Sequence, residues 1–236
     1  MSSPTSHQVH IIITNDDGID APGLAALAEL AAPLGEVAWA APQEHLSGCS
    51  HRVTTNGPIR VSQRGPRRWA VEGTPADCVR VALARLAPET TVVLSGINEG
   101  GNLGADVHHS GTVAAVREAA LHGRAGIAVS QYRKRGLEVD WSRGVRWLRP
   151  VVADLLRRPR EPGTLWNINL PHLAPDEPEP RIVFCPLEAG PLPLSFRVDG
   201  DALHYDGNYH ERRRQAGSDV DVCFGGNIAV TLVRVF

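Results

Sequence analysis

Two adjacent carboxylates, Asp16 and Asp17, close the stretch Val9–Gly18, VHIIITNDDG. Like charges held side by side raise one another's pKa or recruit a cation. The residues before them (Val9, Ile11, Ile12, Ile13, Thr14) form a short β-branched run cut off by Asn-Asp-Asp-Gly, the pattern of a buried strand ending in a turn. In open α/β sheets, ligands bind in the crevice beyond the carboxyl ends of the strands. Asp16 and Asp17 are therefore expected to seat a divalent metal there. A plain turn is the competing reading, because Asn, Asp and Gly serve tight turns for backbone reasons alone.

The segment Ser95–Thr112, SGINEGGNLGADVHHSGT, supplies the matching chemistry. A connection this long inside a compact domain tends to be functional. Its glycines let backbone N–H groups approach an anion, and the side-chain oxygens of Asn98 and Asn102 suit a hard metal. Ser110-Gly111-Thr112 then opens an Ala-rich helix, whose N-terminus is a natural seat for a phosphate. Ser110 also fits a simple helix cap. The G-K-[ST] of a Walker A loop and the G-x-G-x-x-G dinucleotide fingerprint are both absent. Gln43–His51, QEHLSGCSH, is a polar loop whose hydroxyls, Ser47 and Ser50, face the same crevice. Asp77 lies in a helix's first turn and reads as a dipole partner rather than a catalyst. Glu118, mid-helix beside Arg117, reads as part of a solvated face.

These residues need a framework. A helix with Leu24, Leu27, Ala28 and Ala31 at helical spacing follows the first strand, closed by Pro33 and Gly35. Glu36–Ala41 is a second strand, so the chain opens with a βαβ unit and a parallel sheet. Val53–Val61 and Arg67–Val71 read as strands of a hairpin beside the main sheet. Thr74 caps a helix with Pro75 at its first position and Val79, Leu83 and Leu86 on its buried face. Thr91–Leu94 and Gly126–Ser130 are further buried strands. Trp141–Arg158 is a long helix that Pro150 should kink or divide. From Pro159 the chain turns Pro- and Gly-rich, with strand-like runs at Leu165–Leu170, Ile182–Cys185, Ser195–Val198 and Ile228–Val235. Asn208–Arg214, NYHERRR, reads as a solvated linker, with a small anion-binding patch as the other reading.

Bulk composition sets bounds. The 236 residues, 42% hydrophobic, suffice for one α/β domain with an appendage. A net charge of −2 makes no case for a nucleic-acid polymer or a membrane as partner. Four cysteines (Cys49, Cys78, Cys185, Cys223) fit no zinc or haem spacing, so free thiols in a cytoplasmic protein are expected.

The ordered motifs TNDDG (Thr14–Gly18), AP-x4-SG (Ala41–Gly48), GTPAD (Gly73–Asp77), SGIN-x-G-x-N-x-G-x-D (Ser95–Asp106), SGTV (Ser110–Val113), GIAVS (Gly126–Ser130) and NINLP (Asn167–Pro171) together resemble the survival-protein SurE family. The likeness runs from about residue 9 to 171. It departs from the family's usual pattern at Gln43 and His109, where Asp and Tyr are common. The resemblance implies a metal-dependent phosphatase acting on nucleoside monophosphates, on a Rossmann-like, mostly parallel α/β sheet flanked by helices. It implies one divalent ion, Mg²⁺ or Mn²⁺, on Asp16, Asp17, Ser47 and Asn98. It places Asn15, Asn102, Ser110, Gly111 and Thr112 on the phosphate side, with Asp16, Asn98, Ser110 and Thr112 carrying catalysis. The implied organisation is a disordered tail (1–8), a catalytic core (9–160) and a β-rich C-terminal extension (161–236) that builds homodimers or homotetramers. Two rival readings stand beside it: a broad polyphosphate or sugar-phosphate phosphatase, and a nucleotide-binding module without turnover.

Overall fold

A computed structural model describes residues 8–212 and 214–236. The expected tail, residues 1–7, and Arg213 lie outside the described residues. The chain begins with β1 (His10–Thr14), α1 (Pro22–Ala31), β2 (Glu36–Pro42), β3 (Val61–Gly65), β4 (Arg68–Val71) and α2 (Pro75–Val81). It continues through β5 (Val92–Glu99), α3 (Gly111–Leu121), β6 (Ala125–Gln131), α4 (Trp141–Arg157), β7 (Thr164–Leu170) and β8 (Ile182–Phe184). It ends with β9 (Phe196–Asp199), β10 (Ala202–Tyr205), α5 (Asp219–Phe224) and β11 (Ile228–Arg234). Nine strands form one sheet in the order β3-β4-β2-β1-β5-β6-β7-β11-β8. From β4 to β7 the neighbours run parallel, and β3 and β11 enter antiparallel to β4 and β7. The fold is α/β, as expected.

Alternation along β1 organises the layers. Ile11 and Ile13 face one side, where they join Leu24 and Leu27 of α1 and Leu148 and Val152 of α4. Ile12 faces the other, with Val79 of α2 and Val113 and Val116 of α3. A sheet buried on both faces explains why its strands read as continuous apolar runs. From β1 the chain crosses first to β2 on one side and later to β5 on the other. The order of the strands therefore reverses at the carboxyl ends of β1 and β5, where such sheets bind ligands.

Several expectations are corrected. The strand expected over Val53–Val61 is irregular up to Arg60, and β3 starts only at Val61. The β3–β4 hairpin is part of the main sheet, since β4 pairs with β2. The helix expected to run to Leu86 is α-helical only to Val81, then widens into a π turn over Ala82–Leu86. The strand expected to stop at Leu94 continues to Glu99. Ile97 is fully buried, and pairing to β6 resumes at Asn98 after a bulge. With a 3-10 turn at Gly104–His108, this shortens the irregular part of the Ser95–Thr112 loop. Pro150 does not divide α4. Pro150 and Arg146 both lie on its exposed face, where solvent can reach the carbonyl left without a donor. The short helix α5 and strand β10 carry too few residues for a readable period.

Asn208–Arg214 is not a solvated linker. The Tyr209 hydroxyl donates to Asp106 at 2.5 Å, and buried Arg212 donates to both Asp106 oxygens and to the Leu103 carbonyl. The segment is thus fastened to the loop after β5.

Close helix–sheet contact depends on Gly126 in β6. A Cβ there would stand 2.8 Å from both the Cβ and the carbonyl oxygen of Val116 in α3. Gly126→Ala is expected to cost about 1–3 kcal/mol through overpacking, read as a lower urea midpoint with an unchanged slope.

Candidate functional site

Asn15 ties the turn after β1. Its side-chain amide donates to the Gly18 carbonyl at 2.9 Å and its oxygen accepts the Gly18 N–H at 3.2 Å, with Gly18 at φ +106°. Both competing readings of Asn-Asp-Asp-Gly therefore describe the same residues. Asn15 and Gly18 build the turn, and the turn presents Asp16 and Asp17.

Asp16 is 3% exposed and lies against the N-terminus of α3. The Thr112 hydroxyl donates to its Oδ1 at 2.5 Å. The approach requires Gly111. A Cβ at that position would fall 2.8 Å from the Asp16 Cβ, 2.9 Å from its Oδ2 and 2.8 Å from Cys49 Sγ. Burial pushes the Asp16 carboxyl above its ordinary value, the Thr112 hydroxyl opposes the shift, and the charge of Asp17 adds to it. Asp17 is also raised by burial, against the Glu99 N–H, which donates to its Oδ2 at 3.3 Å, and His45, whose Nδ1 lies 3.4 Å from its Oδ1. Among the described residues no Lys or Arg pairs with either carboxylate. An adjacent, largely desolvated pair lacking a Lys or Arg partner is the electrostatic condition for binding a cation.

The remaining donors are oxygens. The Asn98 amide donates to the Gly100 carbonyl at 2.7 Å, which leaves its Oδ1 as an acceptor without a protein donor among the described residues. Ser47 is exposed and makes no side-chain hydrogen bond among them; it lines a cleft with Asp17, His45, Glu99, Pro22 and Trp141. No group of three or more His, Cys, Asp or Glu side chains arranged to hold a metal ion occurs among the described residues. Two carboxylates, one amide oxygen and one hydroxyl compose a hard donor set of the kind Mg²⁺ and Mn²⁺ prefer. The residues present fit such an ion.

Of the residues expected to face a phosphate, Ser110 caps α3 by accepting the Val113 N–H at 3.0 Å, while Gly111 and Thr112 form the first turn. Asn102 is held in a buried knot. Its amide donates to Ser130 Oγ at 2.7 Å, its N–H donates to Asn169 Oδ1, and its carbonyl accepts from Asn167 and Asn169. Asn167 and Asn169 stand two apart on β7, so period-two alternation puts both on one face, a signal in the sequence for this knot. Asp77 accepts from Thr54 and from Thr74 in a capping box, which is the structural role expected of it.

Glu118 is a correction. It is 7% exposed rather than solvated, and it holds His51 Nε2 at 2.8 Å, His122 Nε2 at 3.0 Å and Arg80 Nε at 3.6 Å. Although burial pushes it up, the bonds from His51 and His122 hold its carboxyl below the ordinary value. The helical spacing of α3 does not reveal this, because an Ala-rich helix shows no clear polar face. His45, Glu118 and the Asp106–Arg212 staple are the neighbours of the site that its motifs do not announce.

A family profile described as Survival protein SurE matches residues 11–188. A protein of Nostoc sp. is 54% identical over 225 residues, covering 95% of this chain and 99% of that one. The 5'-nucleotidase SurE of Allorhizobium ampelinum is 36% identical over 241 residues, 96% of this chain and 92% of its own. The crystal structure of SurE protein from Aquifex aeolicus superposes with a TM-score of 0.85 at 28% identity, over 96% of this chain and 94% of that one.

Because burial holds the folded pKa of Asp16 above the ordinary carboxylate value, the folded chain binds that proton more tightly than the unfolded chain. Its stabilising contribution is whole below the unfolded pKa and is lost as pH rises through the folded one. Metal-free Asp16→Asn is therefore expected to melt at a higher temperature than the metal-free parent at neutral pH. The gap should shrink as pH falls through the carboxylate range; equal melting temperatures at neutral pH would contradict this electrostatic account.

Proposed function

This chain belongs to the SurE family, and from that premise we propose that it is a metal-dependent 5'-nucleotidase. In this reading it hydrolyses nucleoside 5'-monophosphates, and also 3'-monophosphates, to nucleoside and phosphate. The observation that carries the reading is the buried Asp16 beside Asp17, held against the first turn of α3 with no Lys or Arg among the described residues to balance the pair.

Asp16, Asp17, Ser47 and Asn98 would hold one divalent ion, Mg²⁺ or Mn²⁺. Such an ion supplies Lewis-acid polarisation of a phosphoryl oxygen and lowers the pKa of a water. The protein's own part is positioning and charge. Gly111 and Thr112 offer first-turn N–H groups to phosphoryl oxygens, and Ser110 fixes that turn by capping it. Asp16 also orients the attacking water for in-line displacement. Asn98 presents its free Oδ1 from the end of β5. Asn15 and Asn102 contribute by shaping the phosphate side, through the turn and the loop that they tie.

The same reading divides the chain into a catalytic core to about residue 160 and an extension that completes the sheet. The extension also builds a homodimer or homotetramer. Phe196, Val198, Leu203 and Tyr205 support this, since they stand exposed on the β9–β10 hairpin, which pairs with no other strand among the described residues. Four free cysteines accord with a cytoplasmic setting, and no helix among the described residues is long and apolar enough to cross a membrane.

Phosphate release from AMP and GMP in Mg²⁺ or Mn²⁺, abolished by EDTA, is the expected result. Asp16→Asn should lose about 10³-fold or more in kcat, about 4 kcal/mol. A loss under about tenfold, or activity indifferent to EDTA, would overturn the metal-centred reading. Equal turnover of ribose 5-phosphate or polyphosphate would point to a broad phosphatase, and calorimetric nucleotide binding without hydrolysis to a binding module.

A further inference from the structure

Ser47 is the one exposed donor among the four proposed for the metal. It lies exposed in the loop after β2, next to Gly48, whose φ is +74° and whose missing Cβ would meet nothing within 4 Å. With no side-chain hydrogen bond of its own among the described residues, its hydroxyl is located by the turn in which the Cys49 N–H donates to the Leu46 carbonyl at 3.2 Å, and by what fastens that turn on either side. Upstream, the Leu46 N–H donates to the Asp16 carbonyl at 2.7 Å. Downstream, Ser50 takes a left-handed conformation at φ +55°, costly for a residue with a side chain. It is held by its hydroxyl, donating to the His108 carbonyl at 2.7 Å, and by its N–H, donating to the His109 carbonyl at 3.1 Å. His51, the next residue, reaches Glu118 on α3 at 2.8 Å.

We propose that Glu118 and His51 form a positioning pair that clamps the loop after β2 onto the phosphate-side helix and so sets where Ser47 can stand. The proposal rests on the hydrolytic reading above for the role of Ser47, but the clamp itself is a property of the fold. Glu118 is also touched by His122 and Arg80. Of these partners only His51 belongs to the loop. His122 sits one turn further along beside α3, so its bond to Glu118 fastens nothing across elements. This difference separates a clamp from a merely buried carboxylate.

The test uses His51→Ala, Glu118→Gln, the double variant, His122→Ala and His51→Gln. Amide exchange over residues 43–51 is measured together with Mn²⁺ affinity by calorimetry and with kcat and KM for AMP. His51→Ala is the decisive variant, since the His51 side chain is only partly buried and its removal leaves the α3 carboxylate in place. His51→Ala and Glu118→Gln are each expected to speed exchange across the loop and to weaken Mn²⁺ binding or kcat by about tenfold, as loss of groups that orient metal ligands does. KM for AMP should change much less. The double variant should be no worse than either single one, His51→Gln should recover most of the loss, and His122→Ala should match the parent. Unchanged loop exchange in His51→Ala would overturn the proposal. So would additive losses in the double variant, or a His122→Ala defect equal to that of His51→Ala. Exchange needs no turnover, so a parent that fails to hydrolyse AMP would refute the hydrolytic reading without deciding the clamp.

Discussion

Everything at the site depends on keeping two neighbouring carboxylates at the end of β1 with, among the described residues, no Lys or Arg to balance them and only an exposed His45 beside Asp17. Taking Asp16 out of water favours its neutral form, and Asp17 beside it adds to that cost. The chain offsets this with dipoles rather than charges. The first turn of α3 faces Asp16, and Thr112 contributes its hydroxyl. Partial positive charge at a helix N-terminus stabilises an anion without neutralising it. An Arg in the same place would have satisfied the pair and closed it to a cation. Gly111 is what permits the arrangement, since any Cβ at that position would overlap Asp16 and Cys49.

A helix end can be aimed this closely only if the sheet beneath it is stiff. The β1 run Ile11-Ile12-Ile13 sends alternate side chains into two separate cores, one under α1 and α4 and the other under α2 and α3. The upper rim of the sheet is polar, and there hydrogen bonds replace apolar packing. Asn102 is tied to Ser130, Asn167 and Asn169, and Asp106 is tied to Tyr209 and Arg212. These bonds bring the C-terminal segment against the loop that follows Asn98. The later part of the chain therefore acts on the site without supplying any of the proposed donors.

The parts of this arrangement governed by local rules were readable from the chain alone. The strand ending in Asn-Asp-Asp-Gly, the βαβ opening, the cap at Thr74 and the helix start at Ser110 all stand close to where short-range patterns place them. Contacts between distant residues were not readable. Glu118 looks solvated because its partner His51 lies 67 positions away. Asn208–Arg214 looks like a linker because Asp106 lies about a hundred positions before it. The extension of β5 to Glu99 escaped because Gly96, a residue that weakens strands locally, is overruled by pairing to β6 and by burial of Ile97. In each case a tertiary partner decided a matter on which local propensity was neutral or misleading.

Rigidity is unevenly distributed among the four proposed donors. Asp16, Asp17 and Asn98 sit at strand ends, and each has a hydrogen bond that fixes one of its atoms. Ser47 has none among the described residues and stands in solvent. Ordering an exposed loop residue costs conformational entropy that a strand residue has already lost on folding. On the proposed reading, the donors at the strand ends would locate the cation, and ordering Ser47 would govern how readily it exchanges. A site built this way keeps its selectivity in the sheet and its exchange with solvent in the loop, which suits an enzyme that must release phosphate after each cycle.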